Sequence, residues 1–205
     1  MAVNMPVSAA ILCGGEGRRM GGVDKSQLRA SGRPFIDRQL DVLRALTPHL
    51  MLIDRAAGRA VPPGVRLVTD LVPASGALGG IYTALDRAAT DRVLVLACDM
   101  PFVTSAFLSY LVGRDARADV VIPRDNQGRY PLCGVFHRRL APAIRTRLDA
   151  RTLRIDDALA AFDVTIVGEA DVARFDSDGR LLLNVNTPAE YDDLMNRHQH
   201  GTFTA

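Results

Sequence analysis

Short apolar runs alternate along this chain with segments in which apolar residues recur every three or four positions. The first pattern predicts strands that are buried on both faces, and the second predicts helices with one buried face. Strands that alternate with helices form βαβ units, which require a mostly parallel sheet. The sequence therefore predicts an α/β fold: a single Rossmann-like domain with three α/β/α layers around a mostly parallel sheet.

The apolar runs and the helical patterns can be placed along the chain. Strands are predicted at 7–13, 50–53, 65–68, 93–97, 120–122, 132–136, 164–167 and 181–185. Helices are predicted after Pro34, around 78–88 and 104–111, after Pro142 and from Pro188. The last helix has the start signal of a capping box, because Thr187 is followed three residues later by Glu190. A chain of 205 residues is long enough to bury these elements in one domain.

The composition excludes several classes of function. Hydrophobic residues make up 48% of the chain and charged residues 23%, which is typical of a soluble globular protein. The net charge of +2 does not indicate a nucleic-acid surface, and no run reaches the roughly 18 apolar residues of a membrane span. Cys13, Cys98 and Cys133 stand far apart in apolar runs, which predicts reduced thiols. We expect a cytoplasmic protein that binds neither nucleic acid nor membrane.

A glycine-rich segment follows the first strand directly, from Leu12 to Lys25. Glycines such as Gly14 and Gly15 let backbone N–H groups turn toward one point and let a ligand approach closely. Arg19 and Lys25 add positive charge to the same segment. A loop that gathers donors and cations after the first strand is typical of an anion-binding site.

Two common phosphate-binding motifs do not fit this segment. In the dinucleotide pattern Gly-x-Gly-x-x-Gly, read from Gly15 and Gly17, the third glycine position holds Met20. The P-loop pattern ends in Gly-Lys-Ser or Gly-Lys-Thr, whereas Asp24 precedes Lys25 here. A dehydrogenase with a dinucleotide fold is therefore disfavoured, and measurable NADH binding would be needed to restore it.

An acidic residue, Asp99, follows the apolar strand at 93–97. In open α/β sheets, ligands bind beyond the carboxyl ends of the strands. A carboxylate there can hold Mg²⁺, which prefers hard oxygen ligands and shares its coordination shell with water and substrate phosphates. Thr104 is better placed than Asp99 to cap the next helix, which leaves Asp99 for a metal.

The glycine-rich segment resembles the signature Leu-x-Gly-Gly-x-x-x-Arg-Met-Gly-x-x-Asp-Lys of the molybdenum cofactor guanylyltransferases. The matching positions are Leu12, Gly14, Gly15, Arg19, Met20, Gly21, Asp24 and Lys25. The double glycine and the Asp-Lys ending favour the guanylyl branch of the nucleotidyltransferase superfamily, whose fold is of the nucleotide-diphospho-sugar transferase type. The resemblance implies that Arg19 and Lys25 hold the triphosphate of GTP. The residues that it implies on the guanine and ribose side are Leu12, Cys13, Gly14 and Gly15.

Further segments carry the same resemblance. Asp70 precedes a glycine-rich stretch as in the family, where this acid contacts the nucleotide. Asp54 ends the second strand where the family commonly has an asparagine that contacts the nucleotide. The stretch around Asp99 is similar to the family's Asp-x-Pro segment, whose acid binds the metal. Asn184 and Asn186 match an Asn-x-Asn-Thr-Pro segment, in which Asn186 is a candidate for a second metal contact.

The resemblance implies transfer of GMP from GTP to molybdopterin, with release of pyrophosphate and with Mg²⁺ as the cofactor. The expected catalytic residues are Lys25, Arg19 and Asp99. The acceptor's phosphate oxygen is already an anion near neutral pH, so the reaction needs alignment and charge neutralisation rather than a catalytic base. We expect the nucleotide-binding half at about 1–105 and the acceptor-binding half at about 106–205. The expected partners of this monomer are GTP and molybdopterin, with transient contacts to cofactor-biosynthesis proteins and acceptor molybdoenzymes.

Two kinds of alternative stay open at this point. Within the same class, a molybdopterin cytidylyltransferase or a sugar-phosphate nucleotidyltransferase would differ in its base or its acceptor, which the sequence pattern does not fix. From another class, an inactive nucleotide-binding module would keep the same fold without turnover. The presence of both Lys25 and Asp99 favours an active enzyme over such a module.

Overall fold

The computed structural model describes residues 6–13 and 25–200, of which 196–200 are described by their backbone alone. The strands are β1 (Val7–Leu12), β2 (Arg29–Ala30), β3 (Arg33–Pro34), β4 (Leu50–Asp54), β5 (Val65–Thr69), β6 (Arg92–Ala97), β7 (Val120–Asp125), β8 (Gly128–Arg129), β9 (Cys133–His137) and β10 (Val164–Val167). The helices are α1 (Phe35–Arg44), α2 (Gly76–Arg87), α3 (Ser105–Arg114), α4 (Ala141–Asp149), α5 (Ile155–Leu159), α6 (Glu169–Ala173) and α7 (Pro188–His200).

One large sheet forms the centre of the protein, in the order β10–β7–β9–β6–β1–β4–β5, with β8 paired to β7. β9 runs antiparallel to both of its neighbours, β6 and β7. The other pairs along this order are parallel, so the predicted mostly parallel sheet is confirmed. Because β1, β4, β5 and β6 run in one direction, their carboxyl ends meet at the same edge of the sheet.

The central strands bury side chains on both faces, as their apolar runs predict. On β1, Ile11 belongs to one apolar cluster and Ala10 to a second one. Neighbours along a strand point to opposite faces, so the two clusters lie on opposite sides of the sheet. Helices α1 and α3 cover the first side and helices α2 and α4 the second. This arrangement confirms the three predicted layers. The buried helical side chains include Leu40, Leu43, Phe107 and Leu111 on the first side, and Ile81, Leu85, Ile144 and Leu148 on the second.

Side-chain caps mark two of the predicted helix starts. Thr104 Oγ1 accepts a hydrogen bond from Phe107 N at 3.3 Å at the start of α3. At α7, Glu190 Oε2 accepts hydrogen bonds from the backbone N–H groups of Asn186 and Thr187, while Thr187 Oγ1 accepts one from Glu190 N at 3.2 Å. The predicted capping box is therefore confirmed. Among the helices in the described ranges, none has the length and apolar character needed to cross a membrane.

The prediction of a strand at 181–185 is wrong. Leu181 and Leu182 are buried in the core, but no strand of the described chain pairs with this segment. Its backbone contact goes instead from Val185 N to Asp99 O, at 3.0 Å. An apolar run that packs on the core without strand pairing has the same sequence pattern as a buried strand. The hairpin β2–β3 and the short helices α5 and α6 have no long apolar pattern, so they cannot be predicted from the sequence.

Candidate functional site

The acidic residues predicted from strand ends meet at one edge of the sheet. Asp54 is the last residue of β4, Asp70 follows β5 directly, and Asp99 stands two residues after β6. These strands are parallel to one another, so the three acids lie beyond the same edge. Lys25, the last residue of the glycine-rich segment, reaches this edge as well. The carboxyl edge of a parallel sheet is where α/β proteins bind ligands, which makes it the candidate site.

Lys25 connects two of the predicted residues. Its Nζ donates to Asp99 Oδ2 at 3.1 Å and to Asn186 Oδ1 at 2.7 Å. The side chains of Lys25 and Asp99 are only 18% and 16% exposed, so water screens this ion pair less than it screens a surface pair. An ammonium group has three N–H donors, of which contacts within the described chain use two. The third donor is suited to an oxygen of a bound anion.

The oxygens around Lys25 also fit a magnesium site. Asp99 offers a carboxylate oxygen and Asn186 an amide oxygen, and both oxygens face the Lys25 ammonium. Asn184 Oδ1 is buried and has no hydrogen-bond partner in the described structure, and a contact of Asn184 with the metal or the nucleotide stays a prediction. The described residues contain no cluster of three or more His, Cys, Asp or Glu side chains able to hold a metal. A small oxygen set of this kind fits Mg²⁺ that is shared with substrate phosphates and water.

The turn that carries Asp99 is fixed by Gln39 from helix α1. Gln39 is fully buried, and its Nε2 donates to Ala97 O at 2.7 Å and to Met100 O at 3.0 Å. These two carbonyl groups lie on either side of Asp99 in the chain. One side-chain amide therefore holds both ends of the turn, and it limits the positions that the Asp99 carboxylate can adopt.

Asp54 is held by arginine contacts at the end of β4. Its Oδ1 accepts a hydrogen bond from Arg55 N at 2.7 Å, and its Oδ2 accepts one from Arg59 Nε at 2.5 Å. Arg59 Nη1 also donates to Ser26 Oγ at 2.7 Å. Ser26 is fully buried and follows Lys25 in the chain. Asp54 is thus linked through Arg59 to the residue next to Lys25.

Asp70 makes contacts that fix the start of helix α2. Its Oδ1 accepts hydrogen bonds from Val72 N at 3.0 Å and from Thr83 Oγ1 at 2.9 Å. A Cβ added to Gly79 would lie 3.4 Å from Asp70 Oδ2 and 3.0 Å from Val72 O, so glycine leaves room for this turn. These contacts place Asp70 in a structural role at the site edge, and a nucleotide contact by Asp70 stays a prediction.

The glycine-rich segment is described only at its two ends. Leu12 packs against Gly80, where an added Cβ would lie 3.1 Å from Leu12 Cδ1. Cys13 continues β1 by donating from its backbone N to Ile53 O at 2.8 Å, and its thiol is buried in the core. The other two cysteines are buried as well, and none of the three forms a disulfide, as predicted. Outside the described residues lie Gly14, Gly15 and Arg19.

Three residues of the site carry no recognisable motif: Gln39, Ser26 and Arg59. For Gln39 a signal exists, because it lies on the apolar stripe of α1, between Ile36 and Leu43. A polar residue at a core position requires a hydrogen-bond partner, so the pattern predicts that Gln39 makes a buried hydrogen bond. Arg59 has no comparable signal, since it lies in a loop of small residues whose path the pattern does not fix.

Comparisons with known proteins identify the family. Residues 9–166 match the family model described as MobA-like NTP transferase domain. A probable molybdenum cofactor guanylyltransferase from Pelotomaculum thermopropionicum is 31% identical over 186 residues, which cover 91% of this chain and 90% of that protein. The molybdenum cofactor guanylyltransferase from Desulfosudis oleivorans is 30% identical over 187 residues, which cover 91% of this chain and 93% of that protein.

Solved structures share the fold at lower sequence identity. Molybdopterin-guanine dinucleotide biosynthesis protein A from Archaeoglobus fulgidus has a TM-score of 0.80 and 23% identity, with 94% of this chain and 98% of that chain covered. The 2-C-methyl-D-erythritol 4-phosphate cytidylyltransferase from Thermus thermophilus has a TM-score of 0.69 and 16% identity, with 95% of this chain and 100% of that chain covered. The nucleotide-diphospho-sugar transferase type of fold is therefore confirmed.

Proposed function

This chain belongs to the family of MobA-like NTP transferase domains, and from that membership we propose that it transfers GMP from GTP to molybdopterin and releases pyrophosphate. Relatives that are 30% and 31% identical over nine-tenths of the chain are named molybdenum cofactor guanylyltransferases. The observation that carries the proposal is the contact of Lys25 Nζ with Asp99 Oδ2 and Asn186 Oδ1 at the carboxyl edge of the sheet. A cation beside hard oxygens is the arrangement that phosphoryl and nucleotidyl transfer requires.

In the proposed reaction an oxygen of the acceptor's phosphate forms a bond to the α-phosphorus of GTP. The bond from that phosphorus to the bridging α–β oxygen breaks, and pyrophosphate leaves with the electron pair. The attacking oxygen is already anionic near neutral pH, so no residue needs to remove a proton from it. The protein's task is to align two anions and to offset their charge, which Lys25 can do with the N–H donor that no described residue accepts.

We further propose that the reaction depends on Mg²⁺, which Asp99 and Asn186 would hold through their oxygens. When bound, Mg²⁺ offsets the negative charge of the phosphate oxygens and favours departure of pyrophosphate. Gln39 keeps Asp99 in place through Ala97 O and Met100 O, so the carboxylate does not have to be reorganised for each turnover. Arg19, which lies outside the described residues, is proposed to join Lys25 on the triphosphate.

The remaining parts of the proposal concern the organisation and location of the protein. We propose that about 1–105 binds the nucleotide, because Lys25, Asp54, Asp70 and Asp99 all belong to this half. About 106–205 is proposed to bind molybdopterin, and Asn186 then links this half to Lys25. A cytoplasmic monomer that meets cofactor-biosynthesis proteins and acceptor molybdoenzymes transiently accords with the buried, reduced cysteines.

The test is an assay of pyrophosphate release by the purified protein, with either GTP or CTP, in the presence of Mg²⁺ and molybdopterin. We expect release with GTP that requires both the acceptor and the metal, and a product whose mass equals that of molybdopterin plus GMP less one water. A preference for CTP would reassign the protein to cytidylyl transfer. If it bound nucleotide but released no acceptor-dependent pyrophosphate with either nucleotide, the protein would be a binding module and the proposal would be wrong.

A further inference from the structure

The Asp54 carboxylate lies at the edge of the sheet where GTP is proposed to bind. Its side chain is only 14% exposed, at the carboxyl edge of the sheet that Lys25 and Asp99 share. A carboxylate that water screens poorly repels an anionic ligand nearby, because the energy of two like charges rises as the effective dielectric falls. A site for GTP therefore tolerates Asp54 only if a cation cancels its charge.

Arg59 is the cation that does so. Its Nε lies 2.5 Å from Asp54 Oδ2, and the side chains of this pair are 17% and 14% exposed. A charge-assisted hydrogen bond at this distance fixes the plane of the guanidinium group as well as its charge. The Asp54–Arg59 pair has no net charge, and it can lie beside a polyanion at a far smaller cost than the carboxylate alone.

Arg59 also bridges two parts of the site. Its Nη1 donates to Ser26 Oγ at 2.7 Å, so the guanidinium connects the end of β4 with the residue after Lys25. Ser26 is fully buried, and its position in turn restrains the backbone from which the Lys25 side chain extends. A change at Arg59 is therefore transmitted to Lys25, which contacts Asp99 and Asn186.

We propose that Arg59 is a positioning residue of the nucleotide site and that it acts with Asp54 as one unit. Arg59 cancels the charge of Asp54 and, through Ser26, sets the place of Lys25. The inference rests on the proposed nucleotide transfer, since it assumes that the anion bound at this edge is GTP.

The charges of the pair predict an unusual pattern of substitutions. Arg59→Gln removes the cation and leaves a poorly screened carboxylate, so we expect affinity for GTP with Mg²⁺ to fall roughly tenfold to a hundredfold. Asp54→Asn combined with Arg59→Gln removes both charges, so we expect the double variant to recover most of that loss. Arg59→Lys keeps the charge but not the planar fork, and its affinity should lie between those of the wild type and Arg59→Gln.

A matched control pair exists at another place in the protein, between Asp119 and Arg139. Arg139 Nε donates to Asp119 Oδ1 at 2.8 Å, and Asp119 Oδ2 accepts from Asp163 N at 3.1 Å, which repeats the bonding of Asp54. Asp119 immediately precedes β7 and therefore lies at the amino edge of the sheet. Arg139→Gln, alone or with Asp119→Asn, should change the dissociation constant for GTP by less than about twofold, since charges at the opposite edge of the sheet contribute little to binding.

The experiment is calorimetric titration of each folded variant with GTP and Mg²⁺, with the free energy of unfolding measured in parallel. The inference would be overturned, while the proposed function stood, if the losses of GTP affinity simply added in the double variant. An Arg59→Gln protein with wild-type affinity for GTP would overturn it as well. If Arg59→Gln does not fold, wild-type affinity in Arg59→Lys and in Ser26→Ala together would overturn it. The double variant could recover the GTP affinity lost in Arg59→Gln while the protein releases no pyrophosphate with molybdopterin. That result would support the inference and reject the proposed function. A wild-type protein that binds no nucleotide would reject both.

Discussion

The buried side chain of Gln39 donates a hydrogen bond to Met100 O at 3.0 Å, and the same nitrogen donates to Ala97 O at 2.7 Å. Two acceptors on one nitrogen mean that the amide cannot be turned round, because Oε1 would then face two carbonyl oxygens. The Oε1 atom has no hydrogen-bond partner in the described structure. A buried unpaired oxygen is unfavourable, so the position of Gln39 that holds the turn of Asp99 lowers the stability of the fold.

Substitution of Gln39 by Met should separate positioning from folding. Met has a similar volume and removes the unpaired Oε1, but it leaves Ala97 O and Met100 O without their donor. We expect unfolding to become easier by about 1–3 kcal/mol and kcat to fall more than KM for GTP rises. Steady-state kinetics and urea unfolding check this. An unchanged kcat in a folded Gln39→Met protein would contradict the positioning role.

Asp99→Asn tests the proposed metal contact with little change in shape. The amide can still accept a hydrogen bond from Lys25 Nζ, but the charge of this mostly buried pair is lost, so unfolding should become easier by about 1–3 kcal/mol. Pyrophosphate release should fall roughly a hundredfold to a thousandfold, because a preorganised charge at the reacting phosphates is lost. Near-normal turnover over a range of Mg²⁺ concentrations would remove Asp99 from the metal site.

Lys25 is the only lysine in the chain, which makes its amine a specific chemical probe. If its ammonium binds the triphosphate, GTP with Mg²⁺ should slow its acylation by an amine-reactive reagent. At about ten times the dissociation constant of GTP, we expect roughly tenfold slower acylation of Lys25. Mass spectrometry of peptides gives the rate, and the α-amino group of the same chain serves as the internal control. Equal protection of both amines would show a loss of reagent rather than binding at Lys25.

His137 should make the stability of the protein depend on pH. Burial lowers the pKa of His137 in the folded protein, and the nearby charges of Arg139 and Arg92 lower it further. The unfolded chain therefore binds a proton at a higher pH than the folded protein, so stability present above about pH 6.5 is lost as the pH falls. Protonation also removes Nδ1 as the acceptor for Arg139 N, at 3.1 Å.

The measurement is the free energy of unfolding at pH 7.5 and 5.5 for the wild type and for His137→Asn. Asn keeps a side-chain acceptor but does not titrate, so we expect a smaller difference between the two pH values in the variant. The exposed His49→Asn provides the control, and it should retain the wild-type difference. The same pH dependence in His137→Asn as in the wild type would exclude His137 as its source.

The framework of the fold can be predicted from the sequence because its pattern is strong. β1 and β6 are almost wholly apolar and occupy the centre of the sheet, where both faces are covered. The polar ends of these strands then predict that Asp99 lies at a ligand-binding edge. The segment at 181–185 is the exception, since its apolar residues pack on the core while Val185 N pairs with Asp99 O rather than with a strand.

The contacts between side chains could not be predicted in the same way. The sequence indicates Asp54 as a site residue, but its partner Arg59 lies five residues later in a loop without periodic pattern. Which of many arginines pairs with a given carboxylate depends on the path of the backbone, and local sequence does not determine that path. The meeting of Lys25 with Asn186 has the same cause, because it requires the whole sheet to be in place.

Lys25 contacts Asp99, which lies 74 positions later in the chain, and Asn186, which lies 161 positions later. During synthesis on the ribosome, a nascent chain that ends before residue 186 can have made most strands of the sheet and still lack an intact site. Each contact over such a distance requires a long loop to close, which costs conformational entropy. If GTP binds as proposed, it stabilises the finished protein but gives no comparable stabilisation to its unfinished precursor.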